Sequence, residues 1–258
     1  MRVLADKEQR LKRFKVLPTP MSFPQVHMAA AEFPSTVLRL LGIMIPEGLS
    51  PANEDILSRF SPKAVVIVMI DNFGLFEAVV YKPEALLKNM ELLALIETAD
   101  PYAIPLTNEV IRGANDFHLI RYVKDYGKVT QAICREEDMT SINLDKTCTI
   151  DAHDDMATYV ESTKHISKSD LLFLHFLDFE SLYAQYGHRT PPKTLLEKIV
   201  RRTDNWIKVL LRQARLGTLF VVIGNHGRHP VPLDYEGKLA EWRSANAPIA
   251  MMFQKRTE

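Results

Sequence analysis

The sequence is poor in cysteine, since only Cys134 and Cys148 occur in 258 residues. Two cysteines cannot build the disulfide framework on which small secreted domains depend, so that class of protein is excluded. No apolar run approaches the roughly 20 residues that a membrane-spanning helix needs, and the first residues lack the apolar core of a signal peptide. The sequence therefore predicts a cytoplasmic protein with no membrane partner.

The sequence also lacks an excess of charge of either sign. Its 32 basic and 32 acidic residues give a formal net charge of zero. A neutral chain has no overall field that would attract nucleic acid, so a nucleic-acid partner is not expected. The basic run containing Arg10, Lys12, Arg13 and Lys15 could contact an acidic protein partner, although a charge run this short is more often a solvated surface.

Proline is concentrated in the first 62 residues, which contain Pro18, Pro20, Pro24, Pro34, Pro46, Pro51 and Pro62. Proline fixes φ and removes a backbone donor, so this region is predicted to form loops and short helices, with one helix near Ser35–Leu41. We interpret residues 1–62 as an N-terminal wrap without a core of its own. Residues 63–258 are then a single α/β domain.

Continuous apolar runs alternate with amphipathic patterns in the rest of the chain. The runs predicted as strands are Ala64–Ile70, Val129–Cys134, Leu171–Leu177, Thr218–Ile223 and Pro248–Phe253. The segments predicted as helices are Lys82–Glu97, Asp116–Tyr126, Asp154–His165 and Lys193–Leu216. Buried strands that alternate with helices predict a doubly wound α/β fold, with a mostly parallel sheet and helices on both faces.

Polar residues follow three of these runs directly. Asp71 follows the first, Asp178 and Glu180 follow the third, and Asn225 and His226 follow the fourth. Ligands of open α/β sheets gather at the carboxyl ends of the strands, where such side chains could hold a divalent cation. Each residue alone is more often a turn former, a helix cap or a solvated side chain.

Three segments resemble the alkaline phosphatase superfamily, in particular its type I phosphodiesterase and nucleotide pyrophosphatase branch. They are VVIVMIDNFG, DLLFLHFLDFESLYAQYGHRTPP and TLFVVIGNHGRH, and they occur in the family's order between Ala64 and His229. The resemblance implies the family's α/β core. It also implies phosphoester hydrolysis with two metal ions and a Ser or Thr nucleophile.

By this resemblance, Asp71, Asn225 and His226 form one metal site and Thr107 is the nucleophile. Thr107 lies in PYAIPLTNEVIRG, where the family places a Thr or Ser before a helix that leads to a Gly. A helix N-terminus at that point would offer backbone N–H groups to an anion. An equally good interpretation is that Thr107 only caps the helix.

The second metal site departs from the family pattern. Glu180 stands where the family has Asp, and Ala184, which cannot bind a metal, stands where it has His. Asn225 is a neutral and therefore weaker ligand than the family's Asp. His188, His229 and His153 are the candidate substitute ligands. The sequence predicts zinc or manganese at one site at most.

Two further acidic features have structural interpretations. The run Asp151–Asp155, which contains His153, could supply ligands but is more typical of a helix start capped by Asp151 or Asp154. Asp204, inside the longest predicted helix, is expected to make a structural polar contact.

These features support three hypotheses. One is a divergent metal-dependent phosphoester hydrolase with weakened or lost activity, acting on a phosphorylated small molecule or a phosphodiester. The second is a pseudoenzyme that binds a ligand or a protein. The third is a non-catalytic scaffold subunit that contacts its partner through the basic N-terminal run.

Overall fold

The computed structural model describes residues 25–100, 103–113, 117–144, 146–187, 190–225 and 247–256. The strands in these ranges are β1 (Gln25–Ala29), β2 (Ala64–Ile70), β3 (Leu92–Glu97), β4 (Thr130–Cys134), β5 (Thr149–Asp151), β6 (Leu171–Phe176), β7 (Thr218–Gly224) and β8 (Ile249–Gln254). The helices are α1 (Phe33–Leu40), α2 (Glu54–Leu57), α3 (Leu75–Tyr81), α4 (Glu84–Asn89), α5 (Ala103–Arg112), α6 (Leu119–Asp125), α7 (Glu136–Ser141), α8 (Asp155–His165), α9 (Asp178–Gln185) and α10 (Lys193–Gln213). Single 3₁₀ turns occupy Ala30–Glu32 and Lys146–Cys148.

The strands form one eight-stranded sheet in the order β1-β3-β8-β7-β2-β6-β4-β5. Every neighbouring pair is parallel except those of β8, which runs antiparallel to β3 and β7. The predicted doubly wound, mostly parallel α/β fold is confirmed. All five predicted strands are also present, with ends shifted by one residue at most.

The core has two layers, one on each face of the sheet. In β2, Val65, Ile67 and Met69 pack in a cluster with α1, α5 and α6, which we call the first face. The alternate residues Val66, Val68 and Ile70 pack in a cluster with α3, α9 and α10, which we call the second face. All seven residues of β2 are buried, because β6 and β7 flank the strand and helices cover both of its sides.

The predicted single helix over Lys82–Glu97 is wrong. The segment folds as the short helix α4 followed by β3, which pairs with β1 on one side and β8 on the other. Its apolar residues recur closely enough to suggest a helical stripe, but Leu92–Ile96 is a continuous buried run and pairing decides its conformation.

The proline-rich region contributes to the same core. The helix predicted near Ser35–Leu41 is confirmed as α1, and β1 is a strand that the sequence did not predict. Phe33, Val37 and Leu38 are buried in the first-face cluster beside β2. The domain boundary at residues 62 and 63 stays a prediction. In the described ranges, no helix is long and apolar enough to cross a membrane.

Candidate functional site

Asp71 begins the turn that joins β2 to α3, at the carboxyl edge of the sheet. The Asp71 N–H donates to the carbonyl of Phe176 at the end of β6 (3.1 Å), which holds the turn against the neighbouring strand. Asn72 adopts a left-handed conformation with φ of 56°. The Gly74 N–H then donates to Glu77 Oε2 (2.8 Å) and caps α3. Asp71 itself is only 3% exposed.

Gly224 allows this turn to lie directly on the end of β7. A Cβ atom at position 224 would lie 1.6 Å from the carbonyl oxygen of Phe73, so no other residue fits without moving the backbone. The close approach brings the next residue, Asn225, into contact with Asp71.

Asn225 uses both ends of its side-chain amide. Its Nδ2 donates to Asp71 Oδ1 (2.8 Å), and its Oδ1 accepts a hydrogen bond from the Asn72 N–H (2.8 Å). The backbone donor fixes the orientation of the amide, since only the oxygen can accept. Asn225 is fully buried, and an aspartate could not donate in its place.

His175 lies on β6, next to β2, and also contacts Asp71. Its Nε2 is 3.0 Å from Asp71 Oδ1, and its Nδ1 is 3.4 Å from Oδ2 of Asp138 in α7. The ring is 4% exposed. Burial alone would lower the pKa of His175, but the charge of Asp71, the hydrogen bond to it and the nearby carboxyl group of Asp138 outweigh burial and raise the pKa to about 10. His175 therefore lies between two acidic side chains that favour its protonated form.

Among the described residues, the contacts of Asp71 and Asn225 leave too few ligands for the divalent metal that the resemblance implies. Asp71 Oδ1 already accepts from His175 and Asn225, and the Asn225 oxygen is taken by a backbone N–H. A zinc site needs three or four nitrogen, sulfur or carboxylate ligands around one point. Within the described ranges, no group of three or more His, Cys, Asp or Glu side chains is arranged to hold a metal.

Thr107 lies inside α5 and not before it, so the interpretation of Thr107 as a helix cap is wrong. Its side chain is buried, and its Oγ1 has no hydrogen-bond partner among the described residues. The helix follows β3, which β8 and β7 separate from β2. The predicted catalytic role of Thr107 stays a prediction.

Glu180 lies in the first turn of α9, which follows β6. The buried residues of this helix, including Phe179 and Tyr183, pack on the second face of the sheet. Asp138 belongs to α7, whose Met139 packs on the first face. Among the described residues, the side-chain partners of Asp71 are His175 and Asn225, and Glu180 is not one of them. The predicted ligand His226 lies outside the described residues, as do His188 and His229.

The helix-start interpretation of the run Asp151–Asp155 is confirmed. Asp154 is the N-cap of α8, and its Oδ1 accepts from the Ala157 N–H (2.7 Å). His153 is exposed beside Asp154, with its Nε2 3.3 Å from Asp154 Oδ2. Asp204 also makes the predicted structural contact, because its carboxylate accepts from the N–H groups of Ala85 and Leu86 at the start of α4.

A second polar cluster, built on Asp155, stands at the same sheet edge. Its carboxylate accepts from the backbone N–H groups of Leu177 (2.7 Å) and Asp178 (3.0 Å), where α9 begins. Arg202 pairs with Asp178 and lies over the Trp206 ring, 4.6 Å from its centroid. Burial, followed by the charge of Asp178, raises the pKa of Asp155 to about 6 despite these hydrogen bonds. The cluster anchors α9 to α8 and α10.

Sequence reasoning missed His175 and Asp138. His175 is the one polar residue in the otherwise apolar strand LLFLHF, which was a usable signal. Asp138 carried no such signal in the sequence. It follows Glu136 and Glu137, and acidic residues are ordinary in the first turn of a helix.

Comparison with known proteins is informative at the level of structure. No family model matches this sequence, and no curated protein matches it. Among solved structures, the chain is similar to a protein in the alkaline phosphatase superfamily from Vibrio parahaemolyticus, with a TM-score of 0.50 and 12% sequence identity. The similarity covers 75% of this chain and 60% of that one, so this chain spans less than two thirds of that protein's length. At this identity the comparison shows the fold, which is alkaline phosphatase-like.

Proposed function

We propose that this protein is a phosphoester-hydrolase-like domain in which metal-dependent hydrolysis at Asp71 has been lost, and that it acts as a binding protein. The fold is that of a hydrolase superfamily. The observation that carries the proposal is the cluster in which the buried Asp71 and His175 lie beside the half-buried Asp138.

The cluster replaces an external cation with an internal one. A buried carboxylate requires a positive partner, and a protonated His175 supplies it to Asp71. The same ring lies 3.4 Å from the half-buried Asp138. Asn225 adds a neutral donor to the same Asp71 oxygen. A divalent cation bound at Asp71 Oδ1 would have to displace the contacts of His175 and Asn225 with that oxygen.

Calorimetric titration with zinc and with manganese at pH 7 tests the proposal, together with hydrolysis assays on p-nitrophenyl phosphate and bis(p-nitrophenyl) phosphate. The matched variants are Asp71→Asn and Thr107→Ala. We expect no stoichiometric metal binding that depends on Asp71, and no turnover that depends on Thr107. Loss of one electrostatic stabilising group alone commonly lowers turnover on the order of 100-fold.

The second candidate function is a weakly active hydrolase of a phosphorylated small molecule or phosphodiester. It is supported by the buried Thr107 hydroxyl, which has no partner in the described part of the chain. The same experiment separates the two. One-to-one metal binding that Asp71→Asn abolishes, with turnover that Thr107→Ala abolishes, would favour the hydrolase and contradict the pseudoenzyme.

A further inference from the structure

A cavity of about 530 Å³ lies between α4, α10 and the end of β8. In β8, Ile249 lies level with Gly224, close to Asp71, whereas Gln254 lies level with Leu219 at the other end of the strands. The residues from Phe253 to Arg256 line the cavity. The cavity is therefore at the sheet edge opposite to Asp71 and is separate from the site described above.

Several charged groups in the cavity wall are already paired. Asp204 caps α4, with its carboxylate 2.8 and 2.9 Å from the N–H groups of Ala85 and Leu86. Lys255 Nζ donates to the carbonyls of Arg212 and Ala214 at the end of α10 (2.7 Å each). Arg256 pairs with Glu91 (2.6 Å). These groups hold the wall in place and are not free to bind a ligand.

Three cations in the wall have no ion pair within 4 Å in the described part of the chain, and one of them, Lys208, is close enough to Asp204 for its charge to favour ionisation of that carboxyl group. Lys208 and Arg212 lie four residues apart on α10 and so share one face of the helix, while Lys88 faces them from α4. All three are exposed to solvent. The acids of the wall are Glu84, Glu91 and Asp204, against five lysine and arginine side chains, so the wall carries an excess of positive charge.

We infer that this cavity binds a small anion carrying two or more phosphate groups. Its volume is in the range of small-molecule sites, about 300–1,000 Å³. Positively charged side chains that line a concave wall concentrate the electrostatic field there and attract an anion. Lysine and arginine side chains both bind phosphate oxygens through charge-assisted hydrogen bonds. Leu211 and Phe253 offer an apolar surface beside them for the rest of such a ligand.

Calorimetric titration with inorganic pyrophosphate, at low salt and pH 7, tests the inference. We expect one-to-one binding to the unmodified protein that weakens as salt is raised, because exposed charges are screened. The double variant Lys208→Ala with Arg212→Ala should bind about tenfold more weakly or worse, since each change removes a charged donor. Glu84→Gln should bind more tightly, because it removes the opposing charge.

Lys198→Ala is the matched control, because Lys198 is exposed on the same helix and lies outside the cavity wall. Its affinity should equal that of the unmodified protein. Absence of binding to the unmodified protein would overturn the inference, and so would equal affinity in the double variant. All of the changed side chains are exposed, so circular dichroism should show an unchanged fold. Whether pyrophosphate binds or not, the result leaves the proposed loss of metal binding at Asp71 untouched, because Asp71 lies at the other edge of the sheet.

Discussion

Asn225 is the residue whose replacement tests the interpretation of the Asp71 cluster most directly. Asn225→Asp keeps the shape but removes the N–H donor to Asp71 and adds a buried carboxylate to a cluster in which one imidazolium already balances two. We expect the free energy of unfolding to fall by about 3 kcal/mol. Guanidinium denaturation of both proteins measures this.

Asn205→Asp serves as the control, because Asn205 is exposed on α10 and the change should cost less than about 0.5 kcal/mol. A stable Asn225→Asp protein that gains zinc affinity would instead mark a metal site that needs only its anionic ligand. That outcome would contradict the internal-cation interpretation.

The candidate site could be predicted from the sequence only in part. Because Asp71 and Asn225 follow two strand patterns directly, the sequence predicted that they would lie at one edge of the sheet. In the structure, Asn225 Nδ2 lies 2.8 Å from Asp71 Oδ1. The contact between His175 and Asp138 joins a strand interior to a helix that follows a different strand. Such long-range pairs leave no periodic pattern in a single sequence.

At the scale of elements, Asp155 connects α8 to the start of α9 and makes stability depend on pH. Its folded pKa of about 6 lies above the ordinary value near 3.9, so ionisation is less favourable in the folded protein. The contribution of this group to stability is greatest below about pH 4 and falls as the pH rises to 6. A shift of this size corresponds to about 3 kcal/mol.

The variant Asp155→Asn removes this titration. We expect the stability of the unmodified protein, relative to that of the variant, to decrease by about 2 kcal/mol between pH 4 and pH 7. Urea denaturation at several pH values within this window measures the difference. A difference that stays constant with pH would show that the carboxyl ionises normally. The loss of one acceptor for the N–H groups of Leu177 and Asp178 adds only a constant offset.

The elements that the sequence predicts well are those buried on both sides, such as β2, β6 and β7. Each of these apolar runs lacks a polar face. A segment of this kind is stable only where other elements cover both of its sides, so the pattern predicts a central strand. The strands β1 and β3 were missed for different reasons. β1 is an edge strand whose alternation covers only Gln25–Ala29, and β3 directly follows α4 and continues its apolar pattern.

At the scale of the whole molecule, both faces of the sheet should unfold together. Leu38 of α1 is fully buried in the first-face cluster, so Leu38→Ala should lower the free energy of unfolding by about 2–4 kcal/mol. The far-UV circular dichroism and tryptophan fluorescence transitions should shift equally, because Trp206 packs on the second face of the same sheet.

Arg39→Ala, an exposed neighbour on α1, is the control and should leave both transitions unchanged. Two separate transitions in Leu38→Ala would instead show that the N-terminal region unfolds independently of the α/β domain.

The position of β8 governs how the chain can fold while it is being synthesised. It comes after the other seven described strands in the chain, yet it lies inside the sheet, between β3 and β7. Until the ribosome releases Ile249–Gln254, the sheet can exist only as two pieces, one ending at β3 and the other at β7. Both edges are apolar and unpaired during that time, which is the condition under which nascent chains aggregate or recruit chaperones. Among the described strands, the one that is synthesised last is thus the one that joins the two parts of the sheet.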